Sequence, residues 1–131
     1  MLAAFNYRGD SAKYQHVLLN VLYHATKSSP PNSTVKVHIN VIPVPEEERQ
    51  QLISVIVEDQ GKSLSDEHVK NLFSPFNLEG GGGSTELRSG FYTSELICER
   101  LGGDICCFAD GPFSGNIYEF RVRVKMCKNQ Y

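Results

Sequence analysis

The sequence predicts a two-layer α/β sandwich, in which helices cover one face of a mixed, mostly antiparallel sheet. Apolar residues recur at helical spacing in two long segments, 11–27 and 90–101. Valine and isoleucine alternate with polar residues over 35–41, which is the period of a strand. The whole predicted order is β-α-β-β-α-loop-α-β-β. Mostly antiparallel strands with long helices on one side are typical of this class.

The first two elements lie in residues 2–27. Residues 2–7 are predicted as a short strand. A helix then begins at Asp10 and Ser11, which suit an N-cap, and its apolar positions repeat at helical spacing up to Lys27. The Ser-Ser-Pro-Pro sequence at 28–31 is expected to end this helix, because the residue before a proline is disfavoured in the helical conformation.

Two strands and a short helix follow. The alternation over 35–41 predicts a half-buried strand, with Val35, Val37, Ile39 and Val41 on its inner face. Residues 43–49 read as a polar turn that contains proline, and residues 51–58 return as the next strand. A short helix is predicted over 66–73.

One segment, 77–89, has no packing pattern. It contains four consecutive glycines followed by Ser84, a composition that predicts a mobile loop. The same run, residues 80–84, also resembles an artificial flexible linker, so a natural and an engineered origin both remain open.

The chain closes with a helix and two strands. The helix over 90–101 is expected to end at Gly102 and Gly103, since glycine is the usual residue just past a helix terminus. Strands are predicted over 104–109 and 116–125, on either side of a turn.

Length and charge exclude several classes of function. At 131 residues the chain is expected to be one domain, residues 1–131, and a monomer in isolation. The net charge of −2 gives no basic surface for nucleic acid. No apolar run approaches the roughly 18 residues that would predict a bilayer-spanning helix, so direct membrane insertion is not expected.

The four cysteines, Cys98, Cys106, Cys107 and Cys127, lack the spacing of a zinc site. They are interpreted as buried free thiols in a reducing, cytoplasmic compartment. Cys106 and Cys107 are adjacent in a predicted strand, so their side chains should point to opposite faces.

The end of the strand over 51–58 is the first candidate site. A β-branched run leads into Asp59 and Gly61, which would present a carboxylate to a pocket and let the backbone approach a flat ligand. An ordinary turn explains the same residues, because aspartate bonds its own backbone and glycine tolerates positive φ.

Four signatures in order then resemble one family. They are the helix over 9–27, the Asp59-x-Gly61 pair, the Leu-Phe-Ser-Pro-Phe sequence at 72–76, and Gly90 followed by a helix into Leu-Gly-Gly-Asp at 101–104. Together they are similar to the N, G1, F and G2 boxes of sensor histidine kinases. The resemblance runs over about residues 5–125 and identifies a member of the gyrase, Hsp90, histidine kinase and MutL group of ATPases.

The resemblance implies a Bergerat-type fold that binds ATP or ADP with Mg²⁺. It implies transfer of a phosphoryl group to a histidine on a separate dimerisation and phospho-acceptor domain, and then to a response regulator or receiver domain. The implied location is cytoplasmic, and attachment of the parent protein to a membrane remains open. Because no acceptor histidine is expected here, the chain alone should not autophosphorylate.

The first helix carries the implied metal and phosphate residues. Asn20 and His24 are four residues apart and should share a face toward the nucleotide. The family has an asparagine ligand for Mg²⁺ at the position of His24, and imidazole is a poor substitute for an oxygen. Asn20 therefore stays as the candidate metal ligand, and Lys27 matches the basic residue near the phosphates.

The implied base site is formed by residues 59–64 and Phe76. Asp59 matches the carboxylate that accepts a hydrogen bond from the adenine amino group, and Gly61 matches the glycine that lets the base pack closely. Ser63 replaces a second glycine, and Leu64 follows it. Phe76 is expected at the hinge of the loop over 77–89, which corresponds to the ATP lid.

The lid departs most from the family. Of the glycines that surround the phosphates at a helix N-terminus, only Gly90 remains. Glu86 places negative charge near the phosphates, and Arg88 would compensate in part.

These departures leave three hypotheses open. The first is a working ATP-binding domain with a divergent lid. The second is a pseudokinase domain that serves as an interaction or signal-transmission module. The third is another member of the superfamily, such as a mitochondrial dehydrogenase kinase or a chaperone-like ATPase. Loss of the metal and phosphate contacts favours weak or lost nucleotide binding.

Overall fold

The computed structural model describes residues 5–47, 49–75, 90–109 and 115–128. Within them, helices lie on one face of a five-stranded sheet, and every strand pairing is antiparallel. The elements are β1 (Phe5–Arg8), α1 (Ser11–Ser28), β2 (Lys36–Pro43), β3 (Gln50–Glu58), α2 (Asp66–Leu72), α3 (Gly90–Arg100), β4 (Asp104–Ala109) and β5 (Asn116–Lys128). This order confirms the predicted α/β sandwich, and most of the predicted ends are correct to within about two residues.

Helix α1 follows its predicted cap. The side chain of Asp10 accepts a hydrogen bond from the backbone N–H of Lys13, which satisfies one free donor of the first turn. The buried residues of α1 form one stripe, and those residues are Val17, Asn20, Val21 and Ala25. The helix ends at Ser28, because Ser29 is extended and two prolines follow.

Strand β5 holds the sheet together. It pairs with β3 along nine residues, with β4 through its first half and with β1 through its last residues. Its inward residues Tyr118, Phe120, Val122 and Val124 are all buried and form the floor of the core. The register sets Val57 of β3 opposite Tyr118, so the end of β3 and the start of β5 meet beneath α1.

Strand β2 differs from the prediction of a half-buried strand. The side chains of Val37, Ile39 and Val41 are 45%, 62% and 46% exposed. The strand is present, but it lies at the edge of the sheet and pairs with β3 alone among the described strands. The alternating pattern predicted the strand correctly, whereas burial depends on a covering helix, which α1 provides over β3 and β5.

The cysteine prediction is partly wrong. Cys98 and Cys107 are buried free thiols, and burial raises the pKa of each to about 12. Cys106 is exposed, because neighbouring residues of a strand point to opposite faces. The predicted opposition of Cys106 and Cys107 is therefore confirmed, and the predicted burial of Cys106 is wrong. The side chain of Cys127 lies outside the described residues.

The predicted glycine stop after α3 has two distinct physical roles. Gly102 adopts a φ of +75°, which a residue with a side chain rarely takes. A Cβ atom on Gly103 would overlap the backbone carbonyl of Arg121 in β5. The two glycines thus turn the chain directly from α3 onto the edge of β5, where β4 begins.

Among the helices that the structure describes, none has the length and apolar character that a membrane-spanning helix needs.

Candidate functional site

Asp59 lies just past the end of β3 and is only 5% exposed. Its Oδ1 atom accepts hydrogen bonds from the backbone N–H of Gly61 at 3.0 Å and from the backbone N–H and side-chain amide of Asn116 at 2.9 and 3.1 Å. Its Oδ2 atom accepts from the hydroxyls of Ser28 at 2.9 Å and Tyr118 at 2.8 Å.

Donors of the protein itself therefore occupy all the acceptor positions of the Asp59 carboxylate. An ionised carboxylate offers about four lone-pair positions, and five donors of the chain itself already address them. The bond from Gly61 is the local turn interaction that the sequence left open as an alternative. The other four donors come from α1 and β5, so this carboxylate also ties the helix layer to the sheet.

His24 continues this network on α1. Its Nδ1 atom lies 3.0 Å from the hydroxyl of Tyr118. Since that hydroxyl gives its one proton to Asp59, it must accept a proton from His24, which assigns the neutral imidazole to the Nδ1–H tautomer. Burial lowers the pKa of His24 below its ordinary value of 6.5, and the charge of Asp59 opposes this shift only in part.

The rings around His24 are packed edge to face. The imidazole lies 5.2 Å from the ring of Phe91 on α3 and 5.6 Å from the ring of Tyr118, measured between centroids. Burial is the main cause that raises the pKa of Tyr118, and its hydrogen bond to Asp59 adds to the effect. The hydroxyl of Tyr118 therefore stays protonated and available as a donor.

A cavity of about 460 Å³ opens beside this network. It is lined by residues of α1, of the segment after β3 and of α2, which are His24, Ser28, Lys62, Ser63, Leu64, Ser65 and His68. The predicted site residues His24, Ser63 and Leu64 thus come together around one space. The position of Leu64 is fixed by Asn116, whose Oδ1 atom accepts from the backbone N–H of Leu64 at 2.9 Å.

Asn20, Gly90 and Lys27 lie elsewhere. Asn20 is buried between α1 and α3, where its amide donates to the hydroxyl of Ser94 at 3.2 Å and to the carbonyl of Gly90 at 3.4 Å. Lys27 is exposed, and its Nζ atom lies 5.1 Å from the ring centroid of Tyr23. These three residues are absent from the described lining of the cavity.

The described residues fit a magnesium ion poorly. Mg²⁺ prefers hard oxygen ligands in octahedral geometry, whereas His24 offers an imidazole whose Nδ1 atom is already bonded. The amide nitrogen of Asn20 is used in the contact between two helices, and Asn20 is only 6% exposed. The described residues contain no group of three or more histidine, cysteine or acidic side chains that could hold a metal ion.

The predicted residues Phe76, Glu86 and Arg88 lie outside the described part of the chain.

Sequence reasoning missed three residues of the network, namely Ser28, Asn116 and Tyr118. Tyr118 and Asn116 lie at the start of β5, and both are fully buried. A polar group among the inward positions of a strand is a signal for such a role, because buried polar groups need partners. Ser28 carries no comparable signal, since serine is ordinary at a helix end.

One family model matches almost the whole chain. The model of the histidine kinase-, DNA gyrase B- and HSP90-like ATPases matches residues 9–126. The chain belongs to this ATPase family. The resemblance to sensor histidine kinases that the four motifs indicated is thereby confirmed.

Individual relatives of this ATPase domain are histidine kinases. The chain is 28% identical over 100 residues to hybrid signal transduction histidine kinase B of Dictyostelium discoideum, covering 74% of this chain and 5% of that protein. It is 27% identical over 116 residues to the sensor protein KdpD of Clostridium acetobutylicum, covering 86% of this chain and 12% of that protein. The chain thus spans a small fraction of these relatives.

Solved structures share the fold of this ATPase domain. The mycobacterial sensor histidine kinase MprB superposes with a TM-score of 0.72 at 22% identity, over 91% of this chain and 75% of that one. Full-length ShkA in complex with AMPPNP superposes with a TM-score of 0.68 at 15% identity, over 92% of this chain and 23% of that one.

Proposed function

We propose that this ATPase domain is the nucleotide domain of a divergent sensor histidine kinase, and that its binding of ATP or ADP with Mg²⁺ is weak or lost. A bound ATP would supply the γ-phosphoryl group for transfer to a histidine outside this domain. His24, Ser63 and Leu64 line the cavity that would receive the nucleotide.

The bond between His24 and Tyr118 carries this proposal. His24 occupies the position at which the resemblance implies an oxygen ligand for Mg²⁺. Its Nδ1 atom is bonded to Tyr118 at 3.0 Å, and burial lowers its pKa and so favours the neutral imidazole. A neutral nitrogen donor is a poor ligand for magnesium, which bridges the phosphates in this family. The phosphate half of the site would therefore bind weakly.

The partners belong to the same proposal. The domain would work beside a dimerisation and phospho-acceptor domain of a parent protein and a response regulator or receiver domain, in the cytoplasm. Because the acceptor histidine would lie on another domain, the chain alone would not label itself with phosphate.

A second candidate is a non-catalytic pseudokinase domain that transmits signals by contact. One observation favours the pseudokinase candidate: the polar groups that would contact a ligand are hydrogen-bonded to one another. The side chains of Asp59, Tyr118 and His24 form one internal chain of hydrogen bonds. In that case the fold would serve as an interaction module.

Calorimetric titration with ADP and ATP, each with and without Mg²⁺, tests both candidates. We expect no binding, or weak binding, by the unchanged domain and partial recovery in His24→Asn. The exposed His16 lies on the same helix, so His16→Asn serves as the matched control and should change nothing. Tight, magnesium-dependent binding by the unchanged domain would overturn the proposal of weak or lost binding. No binding by any variant would favour the pseudokinase candidate.

A further inference from the structure

The last turn of α1 separates the cavity from Asp59. Ser28 lines the cavity, whereas the carboxylate of Asp59 is almost completely buried. The Ser28 hydroxyl lies 2.9 Å from Oδ2 of Asp59. A ligand in the cavity that approached this oxygen would therefore meet Ser28 first.

Gly61 faces the same residue. A Cβ atom added to Gly61 would overlap the backbone carbonyl of Ser28, so the open side of this glycine is already filled by the end of α1. Asp59 and Gly61, the two residues expected to receive a base, thus both contact Ser28.

We propose that Ser28 determines whether this site accepts an adenine base. Its hydroxyl takes the acceptor position on Asp59 that a base amino group would use, and so excludes the base. The inference rests on the proposed function, because it concerns the same cavity. The inference also extends the proposed function, because α1 would close the part of the site that receives the base, independently of the part that binds the metal.

The charge of Asp59 decides which of three nearby acceptors receives the hydroxyl proton of Ser28. The Ser28 oxygen also lies 3.0 Å from the carbonyl of His24 and 3.3 Å from that of Ala25, but the hydroxyl has one proton to give. A hydrogen bond to an ionised acceptor is about twice as strong as a neutral one, so the carboxylate is the favoured partner. An incoming amino group would have to replace this charged contact.

A purely structural role for Ser28 is the competing explanation. The neighbouring hydroxyl of Ser29 also fastens this helix end, since it donates to the carbonyl of Ala25 at 2.8 Å and accepts from the backbone N–H of Gln60 at 3.4 Å. If Ser28 only fastens the helix, its removal would lower stability without creating a ligand site. The experiment must therefore measure binding as well as folding.

The test is titration of the full chain with adenosine and with inosine, without Mg²⁺. Neither ligand has phosphates, so the metal half of the site does not contribute. Inosine carries a carbonyl where adenosine carries the amino group, and a carbonyl cannot donate to Asp59. In Ser28→Gly we expect affinity for adenosine to rise by about tenfold or more, which is the contribution of one good hydrogen bond. Affinity for inosine should not change.

Tyr118→Phe is the matched control. It removes the other donor to the same oxygen of Asp59, but Tyr118 is fully buried and is not part of the described cavity lining. The freed acceptor would then point into the core, so no gain for adenosine is expected. Ser28→Ala repeats the test with the smaller change if the glycine variant does not fold, and thermal unfolding checks each variant.

The outcomes separate the two proposals. No gain for adenosine in a folded Ser28 variant would overturn the role of Ser28 and leave the proposed weak nucleotide binding unaffected. An equal gain in Tyr118→Phe, or an equal gain for inosine, would also overturn it. Tight, magnesium-dependent ATP binding by the unchanged chain would contradict the proposed function and, because ATP carries the adenine base, the exclusion by Ser28 as well.

Discussion

At the scale of single residues, Asp59 is the centre of the site. Its five donors come from the turn after β3, from the end of α1 and from the start of β5. A buried carboxylate with this many donors stabilises the native state because each bond is charge-assisted. The same bonds fix the proton positions on Tyr118 and His24.

Asp59→Asn is expected to reverse those proton positions. The amide nitrogen would donate to the hydroxyl of Tyr118, which would then donate to Nδ1 of His24. His24 would change from the Nδ1–H to the Nε2–H tautomer, and imidazole ¹⁵N chemical shifts report this directly. Loss of charge-assisted bonds should also lower the free energy of unfolding by about 1–3 kcal/mol. Asp66→Asn, at an exposed position on α2, is the control. An unchanged tautomer in Asp59→Asn would contradict the proton order assigned here.

His24 also predicts how stability depends on pH. Burial lowers its folded pKa below 6.5, so below that pH the unfolded chain binds a proton that the folded chain does not. The free energy of unfolding should therefore fall as pH drops from 6.5 toward the lowered folded pKa, by at most about 1.4 kcal/mol per pH unit. Nearby Asp59 opposes this shift and His68 adds to it. Urea unfolding at about pH 7.5 and about pH 5.5 measures the loss, which should be smaller in His24→Gln.

A His16→Gln variant controls for the general effect of removing a histidine from α1. It should retain the pH dependence of the unchanged chain. The same pH dependence in His24→Gln would show that other groups are responsible.

At the scale of elements, the clearest contrast lies between the neighbouring strands β2 and β3. Ile39 of β2 is directly opposite Val55 of β3, and both point to the same face of the sheet. Val55 is fully buried beneath the helices, whereas Ile39 is 62% exposed. Strand β2 alternates apolar and polar residues, whereas β3 carries a nearly continuous apolar run over 52–57. The alternation predicts that β2 is a strand, but it does not indicate whether a helix covers its apolar face.

This contrast gives a paired prediction. Val55→Thr places a hydroxyl in the core and should lower the free energy of unfolding by about 1–3 kcal/mol. Ile39→Thr loses little buried area and should change it by no more than about 0.5 kcal/mol. Chemical denaturation of the two variants makes the comparison. Equal losses would mean that the face of β2 that carries Ile39 is covered in solution.

At the scale of the whole molecule, the sequence was sufficient for the fold class but not for the hydrogen-bond network around Asp59. Helix and strand periods, a cap at Asp10 and the glycines after α3 are local signals, and all of them were predicted correctly. The network around Asp59 joins residues up to 94 positions apart, such as His24 and Tyr118. Such contacts depend on strand register and on where α1 ends, and neither can be read from a local pattern.

Strand pairing predicts where the sheet is most protected from exchange. The backbone amides of β3 and β5 pair with each other along nine residues in the interior of the sheet. The slowest of these amides should therefore exchange only through global unfolding. The amides of β2 that point away from β3 should exchange through local opening. Hydrogen exchange followed by NMR or mass spectrometry checks this order. Faster exchange at the centre of β5 than in β2 would contradict the sheet order.

The central place of β5 has a consequence for synthesis on the ribosome. Strands β1, β3 and β4 all pair with β5, which is made after every one of them. Until residue 116 and its successors have left the exit tunnel, β2 and β3 can pair with each other, but β1 and β4 lack their partner strand. Asp59 would likewise wait for Asn116 and Tyr118. A nascent chain that stalls before β5 would therefore expose the unpaired edge of β3, which makes it a natural client for chaperones.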